Sequence, residues 1–269
     1  MNNHPLKSKL CDANKLDYFS KKSLKYQPYY VKAFNDLKQC TDKYYIDIDL
    51  IENISKPLPA PWIFKHINID FSLSYTKKED MTPTIVKSLF LEKMNNEYKD
   101  HQKIYTDGSV QDEKAGFGIF QNGSFETCTR IQNYSSIYTS ELFAIKSCIE
   151  RYKTYSPANK NILILSDSKS ALEGLKDINS KNTIVISIRN LITELVQINF
   201  SFFWIPSHFS IEGNEKADKI AKDSLSINIS PTFKFQHLDY KRYIKKHILD
   251  RWESNWTNNN QTKPEMGMT

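Results

Sequence analysis

Hydrophobic and polar positions between residues 101 and 225 follow two periods that alternate along the chain. Short apolar or alternating runs predict strands, and runs with a spacing of three and four residues predict helices. The predicted strands are 104–106 (the end of a first strand), 115–120, 124–131, 161–166 and 200–206. The predicted helices are 138–152, 168–178, 182–197 and 213–225. This order, βββαβααβα, predicts an α/β fold: a five-stranded mixed sheet with helices on both faces.

Turn residues predict how the first strands connect. Asn122 and Gly123 are a strong hairpin signal between the second and third strands. The first strand reaches Asp107, and Gly108 and Ser109 then predict a turn. The apolar strand 161–166 is likewise followed by an aspartate, and Ser168 is a plausible cap for the helix after it.

The flanks have a different pattern. Residues 1–100 are rich in Lys and Asn, with weak helical periodicity around 28–43 and 80–98. Between these segments lies PLPAPW, 57–62, whose prolines exclude a helix interior or a central strand. We interpret residues 1–100 as a partly ordered leader and linker and 101–225 as one domain. Residues 226–269 are interpreted as a basic amphipathic tail with a disordered end.

Composition and charge narrow the class of protein. No run approaches the ~20 apolar residues of a membrane helix, and the N-terminus lacks the apolar stretch of a signal peptide. Four scattered cysteines without metal-type spacing favour a cytoplasmic or nuclear location. The net charge is +6, yet residues 101–225 hold 14 Lys and Arg against 14 Asp and Glu. The basic excess therefore lies in the flanks, where it is either a solvated helix face or a nucleic-acid contact.

Four carboxylates occupy positions expected to be buried. Asp107 and Asp167 follow predicted core strands, while Glu141 and Asp218 share helix faces with apolar residues further along each helix. Unpaired buried carboxylates are costly, and no Lys or Arg takes an obvious pairing position on these inner faces. Each acid alone could be a turn or surface residue. Together they predict a shared site for Mg²⁺, and two such ions can clamp a phosphodiester displacement.

His208 lies in the loop after the last predicted strand, ten residues before Asp218. A lone loop histidine is commonly exposed and idle. Beside a metal site, however, a histidine on a flexible loop suits a proton shuttle near neutral pH or a group that assists product release.

Four sequence blocks then resemble a known family. They are TDGS (106–109), TSELFAI (139–145), SDSKSAL (166–172) and PSHFSIEGNEKADKIAK (206–222). Their order and spacing resemble the signature blocks of type 1 ribonuclease H, of the kind found in non-LTR, jockey-like retrotransposon polyproteins. The resemblance covers about residues 101–225, and the segments on either side resemble those that border this domain in such polyproteins.

The resemblance implies a ribonuclease H-like fold and a metal-dependent endonuclease that hydrolyses the RNA strand of RNA–DNA hybrids. His208 would assist proton transfer or release. The implied ligands of two Mg²⁺ ions, with Mn²⁺ as a substitute, are Asp107, Glu141, Asp167 and Asp218. The implied substrate contacts are Gly108, Ser109 and Asn214.

The resemblance also implies partners: an RNA–DNA hybrid, a reverse transcriptase as a second partner, no membrane, and a monomeric state. The chain departs from some members of the family in lacking an inserted basic helix, because only DINSKN (177–182) separates its two middle helices. We therefore hypothesise that the basic flanks contribute to hybrid binding.

Three alternatives remain open at this point. The first is a catalytically inactive nucleic-acid-binding relic of a retrotransposon polyprotein. The second is a DDE transposase or integrase, which the TDGS block and the helix-borne Glu141 disfavour. The third is a protein-interaction domain with surface acids, which predicts that Asp107 and Asp167 lie far apart.

Overall fold

A computed structural model describes residues 63–74 and 82–261, with side chains to residue 254. The chain divides into two compact units, one that spans Leu58–Lys234 and one that contains the C-terminal segment from Phe235. The predicted leader up to residue 62, residues 75–81 and the predicted disordered end after 261 lie outside the described residues.

The first unit contains a mixed sheet of six strands. Its spatial order is β1-β6-β5-β2-β3-β4, with β1, β6, β5 and β2 parallel and β3 antiparallel to both of its neighbours. The strands are β1 (Asn68–Asp70), β2 (Gln102–Gln111), β3 (Lys114–Gln121), β4 (Phe125–Ile131), β5 (Asn161–Ser166) and β6 (Asn199–Trp204).

All five predicted strands are present, and the predicted α/β fold is confirmed. The count of five was nevertheless too low, because β1 adds a sixth strand at the edge. β1 has only three residues, two of them polar, so it carries no apolar run or alternation that could have signalled a strand.

The first strand does not turn at Gly108 and Ser109, and that prediction was wrong. β2 continues to Gln111, and the hairpin turn lies at Asp112 and Glu113, which adopt left-handed φ values of 48° and 67°. What ends near Asp107 is only the parallel pairing with β5, whose last partners are Thr106 and Ser166. Pairing with β3 holds the rest of β2 in the sheet.

Helices cover both faces of the sheet, as predicted. Side chains of α2, α3 and α4 form one large core cluster with residues of β2, β3, β5 and β6. On the other face, α1 packs through Phe90 and Met94 against Leu163, Leu165 and Phe203. The helices are α1 (Pro83–Asn96), α2 (Ile137–Glu150), α3 (Lys169–Lys176), α4 (Thr183–Glu194) and α5 (Glu212–Asp223).

Polar side chains fix where the helices begin. Ser136, Ser168 and Asn182 each accept a hydrogen bond from a backbone N–H in the first turn of α2, α3 and α4. Such caps satisfy amide groups that otherwise lack a partner within the helix. The cap predicted at Ser168 is therefore present.

The chain stays attached to the sheet beyond α5. Arg130 on β4 pairs with Ile229, and its guanidinium donates to the carbonyl oxygen of Ile227 at 3.1 Å. Phe233 then packs edge-on against Phe117 and Phe143 of the core. The unit built on the sheet thus extends to Lys234, past the residue 225 at which the sequence pattern of the domain ends.

The second unit contains a long helix, α6 (His237–Gln261), which includes the basic segment of the predicted tail. Among the residues that the structure describes, no helix combines the length and apolar character needed to cross a membrane.

Candidate active site

Three of the four predicted acids converge at one edge of the sheet. Asp107, Glu141 and Asp167 each offer a carboxylate oxygen, and these oxygens all lie within 4.8 Å of one another. Asp107 lies on β2 and Asp167 directly follows β5, so each is one residue past the last pair, Thr106 and Ser166, of these parallel strands. The alternative of a protein-interaction domain with surface acids predicted that Asp107 and Asp167 lie far apart, and the structure shows the opposite.

Glu141 reaches the cluster from α2, and the absence of a side chain at Gly108 makes this possible. A Cβ atom placed on Gly108 would lie 2.9 Å from the Glu141 backbone nitrogen and 3.0 Å from Ser140 Cβ. Glycine therefore allows the helix to lie directly against β2. The predicted contact of Gly108 with a scissile strand stays a prediction, as does that of Ser109, which is half-buried on the same strand.

Asp218 lies at the rim of the cluster, on α5. It is close enough to Asp107 to raise the pKa of that carboxyl group. The sequence interpretation found no base positioned to pair with it, and this was wrong, because Lys222 Nζ lies 2.6 Å from its carboxylate. The lysine follows by four residues on the helix, a spacing that brings side chains together, and the Asp218 side chain is one-third exposed.

Burial and mutual repulsion disfavour the charged forms of these acids. Burial, followed by the charges of Asp167 and Asp218, raises the pKa of Asp107 to about 8. Burial and the same kind of repulsion from Asp107 and Asp167 raise the pKa of Glu141 well above its usual range. Burial also raises the pKa of Asp167, although the hydrogen bond from Asn214 opposes this shift. A cluster with these properties favours a cation that would neutralise it.

The residues present fit a divalent cation. Glu141 is 4% exposed, and its Oε2 atom is buried without a hydrogen-bond partner in the part of the chain that the structure describes. Buried polar atoms are nearly always paired, so this oxygen is free for a ligand outside the protein. The donors are hard carboxylate oxygens, which Mg²⁺ and Mn²⁺ prefer.

Two side chains that hold Asp167 were not identified as such from the sequence. Asn214 donates from Nδ2 to the Asp167 carboxylate at 3.3 Å, whereas the sequence resemblance assigned it to the substrate backbone. Trp204 donates from its indole nitrogen to the Asp167 carbonyl oxygen at 2.9 Å. The only sequence signal for Trp204 was its position at the end of the last strand.

His208 lies on the exposed loop between β6 and α5. Its charge acts to lower the pKa of the Asp167 carboxyl group, so the imidazole is close to the acid cluster. His208 and Ser210 both adopt left-handed backbone conformations, with φ values of 65° and 56°. Such conformations are uncommon for residues other than glycine, and they give this loop a sharply bent path.

One family model matches the central part of the chain. Residues 99–226 match the family model described as RNase H. The solved structure of LC11 ribonuclease H1, isolated from compost by a metagenomic approach, matches with 19% identity and a TM-score of 0.40. That match covers 47% of this chain and 96% of the other. No curated protein sequence matches this chain.

The family match spans every element from β2 to α5 and all four predicted acids. Residues 99–226 therefore form an RNase H domain with the RNase H-like fold.

Proposed function

We propose that this protein is a metal-dependent endonuclease that hydrolyses the RNA strand of RNA–DNA hybrids, with two Mg²⁺ ions bound at the acid cluster. The observation that carries the proposal is the convergence of Asp107, Glu141 and Asp167 within 4.8 Å, on the domain that matches the RNase H family. The Oε2 atom of Glu141 supports it, because this buried carboxylate oxygen has no hydrogen-bond partner among the described residues and can bind a cation.

Each acid would have a distinct task. Asp107, Glu141 and Asp167 would hold the ions at the centre, and Asp218 would complete the ligand set from the rim once Lys222 releases it. Bound divalent ions would supply Lewis acidity toward the phosphodiester and lower the pKa of an attacking water. His208, on its exposed loop, would carry a proton away from the site or assist product release.

The substrate proposal rests on the family match. A nuclease of this kind would distinguish RNA from DNA by the 2′-hydroxyl group of the cleaved strand. The retrotransposon origin, a reverse transcriptase as partner, the monomeric state and the substrate contacts of Gly108, Ser109 and Asn214 stay predictions from the sequence blocks.

Cleavage of a labelled RNA–DNA hybrid by the full chain tests the proposal. We expect cleavage of the RNA strand with added Mg²⁺ or Mn²⁺, none with EDTA, and none of duplex DNA of the same sequence. Asp167→Asn should lower the rate by roughly three orders of magnitude, because it removes one charged ligand from the shared site. Asp177→Asn is the matched control, since it makes the same change in an exposed residue beyond α3.

The alternative is a catalytically inactive nucleic-acid-binding relic, and the same samples decide between the two. Hybrid binding by the wild-type chain, with no RNA cleavage in either metal, would contradict the nuclease proposal and favour the relic. Cleavage that survives Asp167→Asn at the wild-type rate would place the activity elsewhere or in a contaminant.

A further inference from the structure

Of the three central acids, Asp167 is the one that lies outside the strands and helices. β5 ends at Ser166, and Asp167 follows it before α3 begins at Lys169. Asp107, in contrast, is held by pairing with β3, and Glu141 is held within α2. Contacts from other parts of the fold must therefore set the direction of the Asp167 side chain.

The main chain at Asp167 is anchored from the neighbouring strand. Its carbonyl oxygen accepts one hydrogen bond from the backbone N–H of Lys169 at 3.0 Å and a second from Trp204 Nε1 at 2.9 Å. The first is a local turn contact, whereas the second ties the segment to β6. Fixing this carbonyl holds the peptide plane that follows Asp167. The plane that precedes it is held by the Ser166 carbonyl oxygen, which accepts from the backbone N–H of Ile205 at 3.1 Å. The two planes together set the direction of the Cα–Cβ bond of Asp167.

The indole of Trp204 is itself held in place. Trp204 lies opposite Ser166 in the register of β5 and β6, at the last paired position of both strands. Its ring is half-buried and packs against the core clusters on both faces of the sheet. An indole nitrogen has one donor and no acceptor, so its orientation commits it to a single partner.

Trp204 also lies where the His208 loop begins. The next residue, Ile205, continues the connection by donating its backbone N–H to the Ser166 carbonyl oxygen at 3.1 Å. The Trp204 side chain and the Ile205 backbone thus link the segment that carries Asp167 to the start of the loop that carries His208.

We propose that Trp204 is a positioning residue, whose indole N–H sets the Asp167 carboxylate against Asp107 and Glu141 for metal binding. This inference deepens the proposed function, on which it rests in taking Mg²⁺ as the ligand. Mutation of groups that hold metal ligands in place typically costs roughly 10–100-fold in metal affinity or activity.

The test replaces the N–H group while keeping the ring. Benzothienylalanine at position 204, introduced by nonsense suppression in the full chain, has nearly the shape of tryptophan but a sulfur atom in place of the N–H donor. We expect Mg²⁺ affinity, measured by titration calorimetry, to fall on the order of tenfold. The kcat for hybrid cleavage should fall similarly, and KM for the hybrid should stay unchanged. Trp204→Phe should show the same losses.

Phe203→Leu is the matched control for a general loss of stability. Phe203 is the preceding residue of β6, but its ring packs against Phe90 and Tyr98 on the face that α1 covers. We expect this variant to lower the melting temperature without changing the Mg²⁺ affinity. Equal losses of Mg²⁺ affinity in Phe203→Leu and the benzothienylalanine variant would overturn the positioning role.

The outcomes separate this inference from the proposed function. Mg²⁺ affinity in the benzothienylalanine variant within about twofold of wild type, a change smaller than one hydrogen bond, would overturn the role of Trp204 and leave the nuclease proposal intact. A wild-type chain that binds Mg²⁺ but cleaves no hybrid would overturn the nuclease proposal. The Mg²⁺ affinities of wild type and the benzothienylalanine variant would still decide the positioning role. A wild-type chain that binds no Mg²⁺ would overturn both.

Discussion

Asp107→Asn is expected to abolish hybrid cleavage and, at the same time, to stabilise the metal-free fold. The loss of activity, by roughly three orders of magnitude or more, follows from removing the acid that adjoins the other three. The gain in stability follows from the same crowding, because the folded chain holds this carboxylate in a buried site that repels its charge.

The sign of the stability effect follows from proton binding. The pKa of Asp107 is raised from 3.8 to about 8 on folding, so the folded state binds the proton more tightly than the unfolded state. The free energy of unfolding of the metal-free wild type therefore falls as the pH rises from about 4 to about 8. Asparagine carries no charge, so the variant should be more stable at pH 8 by about 2–4 kcal/mol.

Thermal unfolding in EDTA checks this expectation. At pH 8 the melting temperature of Asp107→Asn should exceed that of wild type by roughly 5–15 °C, and the difference should shrink toward pH 4. Added Mg²⁺ should raise the melting temperature of wild type and not of the variant. Asp223→Asn, the same change at an exposed residue of α5, should show neither effect. A variant less stable than wild type at pH 8 in EDTA would contradict the repulsion inferred here.

Gly118→Ala is expected to disrupt the packing of α5 and, with it, the rim of the site. A Cβ atom at Gly118 would lie 2.5 Å from both the Ala217 carbonyl oxygen and the Ala221 backbone nitrogen. Both are backbone atoms, so no side-chain rotation can relieve the contact. We expect a loss of about 3 kcal/mol, near the upper end for overpacked cores. The helix that carries Asn214 and Asp218 would shift, so Mg²⁺ affinity should fall as well.

Chemical denaturation and Mg²⁺ titration of the Gly118 variant check this prediction. Gly123→Ala is the control, since Gly123 has a φ of 66° in the β3–β4 turn but no atom within 4 Å of an added Cβ. Its alanine should cost about 1 kcal/mol from backbone conformation alone and leave metal binding unchanged. Equal losses of stability in the two variants would show that Gly118 is not needed for the close approach of α5 to β3.

Local periodicity was sufficient for most of the fold. Runs such as NILILS and the helical spacing of apolar residues after Glu141 depend only on near neighbours, and they gave five strands and four helices in the correct order. The acids could be grouped because each takes a position expected to be buried, and unpaired buried carboxylates are costly unless they share a cation. The prediction that Glu141 shares a buried face with Ile145 and Cys148 is confirmed.

The remaining features depend on contacts between distant residues. Gly108 and Ser109 have stronger turn chemistry than Asp112 and Glu113, yet pairing with β3 keeps them extended. Asn214 and Trp204 meet Asp167 across 47 and 37 residues of sequence, and no local pattern encodes either contact. Lys222 was missed for a different reason: its pairing with Asp218 is local, but it occurs on the solvent side of a residue that was assumed to face inward.

Helix α1 has a practical consequence for any attempt to move this domain into another protein. It lies outside residues 99–226, yet its buried residues Phe90 and Met94 pack against one side of the sheet. A fragment trimmed to the family boundaries would present Leu163, Leu165 and Phe203 to water, and bare surfaces of that kind promote self-association. The segment to be fused to another protein is therefore longer than residues 99–226. It should begin before α1 and end at Lys234.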